Sequence, residues 1–247
     1  MIQREVFQHA PITEALLDIR VTLPEHMNLD LLATFHDDIR DRYPNKRERK
    51  LWTGNIELTD QGANVAPPHG GTIGYLFASL DGKNMVQARL DGFTFNRLKP
   101  YDRWETFREE SHKLWQHYVK VAGPKQITRV ALRYINRIEI PLPMRDFKDY
   151  ILTVPEIAPK LPQSLAKFFM QLTIPIPEIA ALALITETME PVTETKKLPF
   201  ILDIDVIREA AFDVDGQEAW EVLDKLHELK NEVFFNSITP KTKELFR

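Results

Sequence analysis

The sequence predicts an α+β protein made of two similar β-α-β-β-β-α units, with antiparallel sheets and with helices packed on one face. Short runs in which apolar and polar residues alternate recur along the chain, and this period of two is typical of half-buried strands. Segments with helical spacing of apolar residues separate the groups of strands. Because the same order of elements occurs twice, we predict one unit over residues 1–123 and a second over residues 124–247, joined in one compact body.

The first unit is predicted to begin with a half-polar strand over residues 12–23. Asn28 can cap a helix that continues to about Tyr43, where Pro44 ends it. Three strand patterns follow, and an Asp-Gly pair between the second and the third is typical of a hairpin turn. These strands are predicted at residues 49–59, 72–80 and 84–98, the last with a break at Asp91-Gly92.

The second unit is predicted to begin with the longest strand pattern in the chain, over residues 127–141. A short helical stretch and a proline-rich connection follow it. Further strands are predicted at residues 165–174, 179–187 and 199–208. Near the end of the chain, Thr239 can cap a last short helix that has Pro240 at its first position.

Each unit is predicted to close with an amphipathic helix that starts at a capping box. The first box pairs Asp102 with Glu105, and the second pairs Asp215 with Glu218. The first helix should end near Gly123, because glycine favours the left-handed conformation that follows a helix. These matched caps and the shared order of elements are the basis for predicting an internal duplication, since the halves share almost no residue identity.

Composition narrows the classes of function. The chain has no cysteine, which excludes disulfides, thiolate zinc sites and cysteine nucleophiles. No run approaches the ~20 apolar residues of a membrane-spanning helix. We therefore expect a soluble cytoplasmic protein without membrane association.

The net charge of −4 disfavours non-specific nucleic-acid binding. The densest positive run, at residues 46–50, is interpreted as solvated surface in preference to a phosphate-binding patch.

Polar residues that lie two positions apart occur on several predicted strands, so each set shares a face of the sheet. Together they predict a mixed field of arginine and aspartate on the face that helices do not cover. The residues that we expect to bind are Arg20, Arg89, Arg133, Asn136, Arg137, Asp203 and Asp205. Asn136 falls on the register opposite to the arginines unless a bulge intervenes.

Several interpretations of this polar face remain open. It can be a solvated surface of cross-strand ion pairs, an interface with a partner or a second copy, or a site where arginines bind phosphate. Asp203 and Asp205 have the spacing of a metal-binding pair, but no third carboxylate or phosphate loop accompanies them, which disfavours metal catalysis. A small-ligand pocket between sheet and helices is a further possibility.

Four segments carry a resemblance to a known family. They are APITEALLDIR from Ala10, LRYINRIEI from Leu132, LDID from Leu202 and FFNSITP from Phe234. In the same order, these segments resemble an uncharacterised, sporadically distributed prokaryotic family. The resemblance implies a prokaryotic protein and supplies no catalytic residues. Patchy distribution is common among defence and toxin–antitoxin genes, so the resemblance suggests that context.

We predict a non-enzymatic binding or protein-interaction module that uses the mixed arginine and aspartate face and requires no cofactor. A protein partner or self-association into a homo-oligomer is expected. The alternative is a nucleotide-binding or nucleic-acid-binding protein, or a metal-dependent enzyme with Asp203 and Asp205 as metal ligands.

Overall fold

The computed structural model describes residues 7–53, 56–59, 62–65, 69–163, 165–191 and 196–247, and it describes side chains outside residues 52–69. Within these ranges the chain forms a nine-stranded antiparallel sheet, a separate two-stranded hairpin and helices. The α+β class predicted from the sequence is confirmed. In the described part of the chain, no helix has both the length and the apolar character that crossing a membrane requires.

The strands are β1 (Ile12–Thr22), β2 (Asn45–Thr53), β3 (Ile56–Thr59), β4 (Gly62–Val65), β5 (His69–Ala78), β6 (Asn84–Arg89), β7 (Gly92–Leu98), β8 (Gln126–Pro141), β9 (Phe169–Ile176), β10 (Ala181–Met189) and β11 (Lys197–Phe212). The α-helices are α1 (Leu29–Ala33), α2 (Phe35–Ile39), α3 (Trp104–Ala122), α4 (Glu218–Ser237) and α5 (Pro240–Lys243). Short 3-10 helices occur at Phe147–Asp149, Pro177–Ile179 and Glu244–Phe246.

Both halves of the chain contribute to the large sheet, whose strand order is β2-β5-β6-β7-β1-β8-β11-β10-β9. The first long strand of each half, β1 or β8, lies at the centre, and the two pair with each other. In each half the remaining strands extend outward to one edge. Strands β3 and β4 pair only with each other among the described residues.

The core lies between this sheet and the helices on one of its faces. A cross-strand row of fully buried side chains runs through the sheet at Phe77, Val86, Phe95, Leu17, Leu132 and Val206. The ring of Phe95 stacks on that of Phe107 in α3, with centroids 5.2 Å apart. Burial of each large apolar side chain contributes about 1.5–3 kcal/mol to folding. The alternate residues of the same strands form the opposite, polar face.

The helix predicted from Asn28 to Tyr43 is instead two short helices, α1 and α2, that meet at Thr34. The predicted cap is confirmed, because Asn28 Oδ1 accepts a hydrogen bond from the Leu31 amide at 3.0 Å. The Thr34 hydroxyl donates to the Leu31 carbonyl oxygen at 2.7 Å. Such local bonds compete with the helical hydrogen-bond pattern, which accounts for the interruption.

Both predicted capping boxes are wrong. Helix α3 has Arg103 at its N-cap and no side-chain bond there, while Asp102 accepts instead from the Thr106 hydroxyl at 3.2 Å. Helix α4 begins after Gln217, again without a side-chain cap. The helical stretch predicted after β8 is only a three-residue 3-10 helix. The matched caps therefore give no support to the predicted duplication.

The predicted helix ends are correct at two positions. Gly123 follows α3 with a left-handed φ of 52°. Thr239 caps α5, where its hydroxyl oxygen accepts from the Thr242 amide at 3.3 Å and its hydroxyl donates to the Asp149 carbonyl oxygen at 2.6 Å. These bonds tie the end of the chain to the segment that follows β8.

Gly92 opens β7 at a position that no other residue fits well. Its φ is 152°, and a Cβ at this position would lie 2.2 Å from the Ile19 carbonyl oxygen. We expect Gly92→Ala to lower the free energy of unfolding by about 2 kcal/mol, through strained backbone and steric overlap. Denaturant unfolding measures this change. Gly71→Ala is the matched control because a Cβ at Gly71 meets no atom within 4 Å, and equal stability of both variants would contradict the prediction.

Candidate functional site

The predicted binding residues lie in two groups on the polar face, with one exception. Arg20 and Arg89 belong to the first group, near the start of β7. The second group lies further along β8 and β11 and contains Arg133, Arg137, Asp203 and Asp205. Asn136 is the exception, since it lies on the helix-covered face.

Asp18 of β1 is the centre of the first group. Its Oδ1 accepts hydrogen bonds from Arg89 Nη2 at 2.8 Å and from the Thr94 hydroxyl at 2.6 Å. Its Oδ2 accepts from Arg129 Nη1 at 2.7 Å and from Arg20 Nε at 3.1 Å. Three arginines on three strands therefore share one carboxylate.

The electrostatics of Asp18 follow from this arrangement. Burial favours its neutral form, but the charges of Arg89 and Arg20 and the Thr94 hydrogen bond outweigh burial and lower the pKa of Asp18 below 3.8. Arg89 itself is only 2% exposed. It also donates from Nε to Asp91 at 2.8 Å, and Asp91 pairs with Arg20 as well.

In the second group, Arg133 binds Asp203 through two nitrogens, Nε at 2.9 Å and Nη2 at 2.6 Å. Asp205 lies beside this pair with one buried oxygen that has no hydrogen-bond partner among the described residues. Burial raises the pKa of Asp205 to about 6, against the charges of Arg129 and Arg133. Arg137 pairs with Glu139 and Glu190 near the end of the strand.

The polar face thus contains the predicted field of arginine and aspartate, with each predicted arginine in an ion pair within the chain. Asp203 and Asp205, the pair considered above as metal ligands, differ in their contacts. Both oxygens of Asp203 contact Arg133. Across the described ranges, no three His, Asp or Glu side chains are arranged to hold a metal ion.

Asn136 keeps the regular register of β8 and points into the helix-covered side, where it is 2% exposed. Its Nδ2 donates to the Leu202 carbonyl oxygen at 3.0 Å and to the Tyr134 carbonyl oxygen at 3.3 Å. The expectation that Asn136 lies opposite to the arginines is confirmed. It does not join them in one site, and it lines a cavity instead.

This cavity has a volume of about 510 Å³ and lies between α3, α4 and β8, beneath the segment that precedes β1. The residues that line it are 7–12, 99–105, Asn136, His227, Lys230, Asn231, Phe234 and Phe235. Its walls therefore come from both halves of the chain. We call it the interhelical cavity.

Three lining residues of the interhelical cavity, Tyr101, Lys230 and Asn231, belong to a chain of contacts around the buried Tyr134. The Tyr134 and Tyr101 hydroxyls are 2.9 Å apart, and burial raises the pKa of both. The Lys230 ammonium lies 3.9 Å from the centroid of the Tyr134 ring and donates to Asn231 Oδ1 at 2.6 Å. A lysine over an aromatic face is held by a cation–π interaction, so this part of the lining is preformed.

A second part of the lining is fixed by stacking and ion pairing. The His227 imidazole lies parallel to the Trp104 indole, with ring centroids 4.6 Å apart. The indole donates from Nε1 to Asp224 at 2.9 Å, and Arg108 donates to the same carboxylate at 2.8 Å. These contacts fix α3 against α4 next to the cavity.

A third part of the lining contains aromatic rings and joins the two ends of the described chain. Phe7 packs on Phe235 and Phe246, with ring centroids 5.9 Å and 5.3 Å apart. The His9 amide donates to the Phe246 carbonyl oxygen at 3.0 Å. The segment that covers the cavity is therefore held by the C-terminal residues.

The sequence interpretation missed His227, Lys230 and Asn231, although α4 carries a signal. Lys230 follows Leu223 by seven residues and Leu226 by four, which is the spacing of the buried face. A lysine at such a position is uncommon, and here it is only 6% exposed.

Three of the four segments that carry the resemblance contribute lining residues to the interhelical cavity, and the fourth contacts one of these residues. Ile12, Asn136 and Phe234 line it, and the carbonyl oxygen of Leu202 anchors the Asn136 amide. No family model matches the chain, and no curated protein matches it significantly.

Proposed function

We propose that this protein is a binding protein whose ligand is a small, largely apolar organic molecule held in the interhelical cavity. The observation that carries the proposal is the cavity itself, with a volume of about 510 Å³ and a lining that combines aromatic rings with polar and charged side chains. Ligand sites typically have volumes of about 300–1,000 Å³ and this mixture of lining groups. Preformed walls lower the entropic cost of binding.

The lining groups favour a ligand with a planar ring and an acidic or carbonyl group. Tyr101, Trp104 and Phe235 offer ring faces and edges for stacking. Lys230 and Asn231 offer polar groups in the lining, and the lysine charge favours an acidic substituent. A ring carrying a carboxylate or sulfonate fits this chemistry.

The protein-interaction role predicted for the polar face has less support, because its arginines already bind carboxylates of the chain. The predicted duplication has some support in the strand order, since β1 and β8 occupy equivalent central places. On that view, the interhelical cavity lies between the closing helices, α3 and α4, of the two units.

The test is titration of the purified protein with 8-anilinonaphthalene-1-sulfonate, an aromatic sulfonate that fluoresces in apolar sites. We expect saturable binding of one dye per chain. Ala10 lines the cavity, so Ala10→Phe should fill part of it and weaken binding by about tenfold or more. Ala211→Phe is the matched control, since Ala211 is exposed on β11 away from the cavity.

Near-ultraviolet circular dichroism must show that both variants keep native tertiary packing, because partly folded proteins also bind this dye. Unchanged dye affinity in folded Ala10→Phe would overturn the proposal, as would an absence of saturable binding to the wild type. Weaker dye binding by Ala10→Phe, together with normal dye binding by Ala211→Phe, supports the proposed function.

A further inference from the structure

A second site is suggested by arginines that converge on the polar face at the β2 side of the sheet. They come from four strands and surround two acidic side chains. We call this set the arginine cluster, and it consists of Arg20, Arg49, Arg89 and Arg129 with Asp18 and Asp91. The cluster is separate from the interhelical cavity, which lies on the other face.

Two glycines make this convergence possible. Gly74 is paired with Arg49 on one side and Arg89 on the other, and Gly92 is paired with Arg89 and Arg20. A Cβ on Gly74 would lie 2.3 Å from the Ala88 carbonyl oxygen, so a side chain is excluded there. With no side chain between them, the long arginine side chains extend over the glycines toward each other.

The positive charges in the arginine cluster outnumber the negative ones. Asp18 accepts four hydrogen bonds and Asp91 contacts Arg89 and Arg20, so both acids are fully engaged. Arg49, by contrast, makes no hydrogen bond or ion pair with the part of the chain that the structure describes. Burial and the nearby charges of Arg89 and Arg20 lower its pKa.

The face next to Arg20 is open. Arg20 and Arg129 line a depression of about 500 Å³ together with Thr128 and Glu209. Glu209 contributes one negative charge to this depression, directly opposite Arg129 in the register of β8 and β11. The cluster keeps a net positive charge even when Glu209 is counted, in a chain whose net charge is −4.

We propose that the arginine cluster binds the phosphate or pyrophosphate group of a small phosphorylated molecule. Guanidinium groups bind such oxyanions through paired, charge-assisted hydrogen bonds. Arg49 supplies donors that no described residue uses, Arg20 supplies a partly exposed neighbour, and the depression beside Arg20 and Arg129 offers room for the rest of the ligand.

The test uses pyrophosphate as the probe and isothermal titration calorimetry as the readout, at matched ionic strength to remove general salt effects. We expect wild-type protein to bind one pyrophosphate per chain. Arg49→Gln should weaken binding about tenfold or more, the loss expected for a charge-assisted contact. Arg137→Gln is the control, because Arg137 lies on the same face and is paired with Glu139 and Glu190.

The fold of Arg49→Gln should be intact because Arg49 has no hydrogen-bond partner among the described residues, and an unchanged melting temperature verifies this. The proposal is overturned if wild-type protein does not bind millimolar pyrophosphate, or if both substitutions weaken binding equally. Tighter binding of a mixed-sequence oligonucleotide that both substitutions weaken equally would also overturn it, in favour of nucleic-acid binding.

Discussion

Asp18→Ala is expected to lower the free energy of unfolding by about 3–5 kcal/mol, the usual cost of removing one partner of a buried ionic network. Asp18 accepts bonds from three arginines and from Thr94, and one of these arginines, Arg89, is 2% exposed. The substitution leaves the buried Arg89 guanidinium with Asp91 as its remaining carboxylate partner. Chemical denaturation at neutral pH measures the change.

Glu139→Ala is the matched control on the same face of the sheet. Its partner Arg137 is 40% exposed and also contacts Glu190. Exposed ion pairs contribute about 0–1 kcal/mol, so the control should be close to wild type. Similar losses in the two variants would show that Asp18 has no special role at the centre of the cluster.

The contribution of Asp18 should also depend on pH. Its pKa is lowered in the folded protein, so the unfolded chain binds the proton more readily. Its stabilisation is therefore fully present above the ordinary value of 3.8 and is lost as the pH falls through the lower folded-state pKa. The difference between wild type and Asp18→Ala should shrink in acid.

The polar face illustrates what the sequence could predict. The period of two correctly assigns Arg133 and Asp203 to one face of their strands, because side chains alternate regardless of strand order. The pairing of Arg89 with Asp18 could not be predicted, since 71 residues separate them and the contact depends on β7 lying between β6 and β1. No local pattern specifies that order.

The helix starts and the contacts next to the interhelical cavity are features that the sequence did not predict correctly. Asp102 with Glu105 has the spacing of a capping box, yet Asp102 bonds the Thr106 hydroxyl and Arg103 takes the cap position. Local spacing does not decide between such competing partners. The period of two assigns Tyr134 to the helix-covered face of β8, but it does not predict that Tyr134 contacts the cavity residues Tyr101 and Lys230.

Glu187 of β10 is expected to make the stability of the protein strongly dependent on pH. It lies on the helix-covered face with 1% exposure, and neither carboxylate oxygen has a hydrogen-bond partner in the described chain. Burial raises the pKa of Glu187 from 4.5 to about 7. The folded protein therefore holds this proton at pH values where the unfolded chain has released it. Stability falls as the pH rises from 4.5 to about 7, by about 3 kcal/mol in total.

Glu187→Gln removes the ionisation and keeps the shape and a polar group. We expect it to be more stable than wild type by about 3 kcal/mol at pH 8 and by about 1 kcal/mol or less at pH 5. Glu187→Met also removes the unsatisfied polar group, so it should gain stability at both pH values. Denaturant unfolding at the two pH values measures these differences.

Glu178→Gln is the control, because Glu178 is exposed in the 3-10 helix just before β10. A surface substitution of this kind changes the free energy of unfolding by about 0.5 kcal/mol or less. A gain in Glu187→Gln that is the same at pH 5 and pH 8 would contradict ionisation of Glu187 as the cause. A gain confined to the higher pH means that the folded protein is destabilised by the charge of a buried carboxylate that no described residue bonds. The reason is that the amide and the protonated acid have similar burial costs.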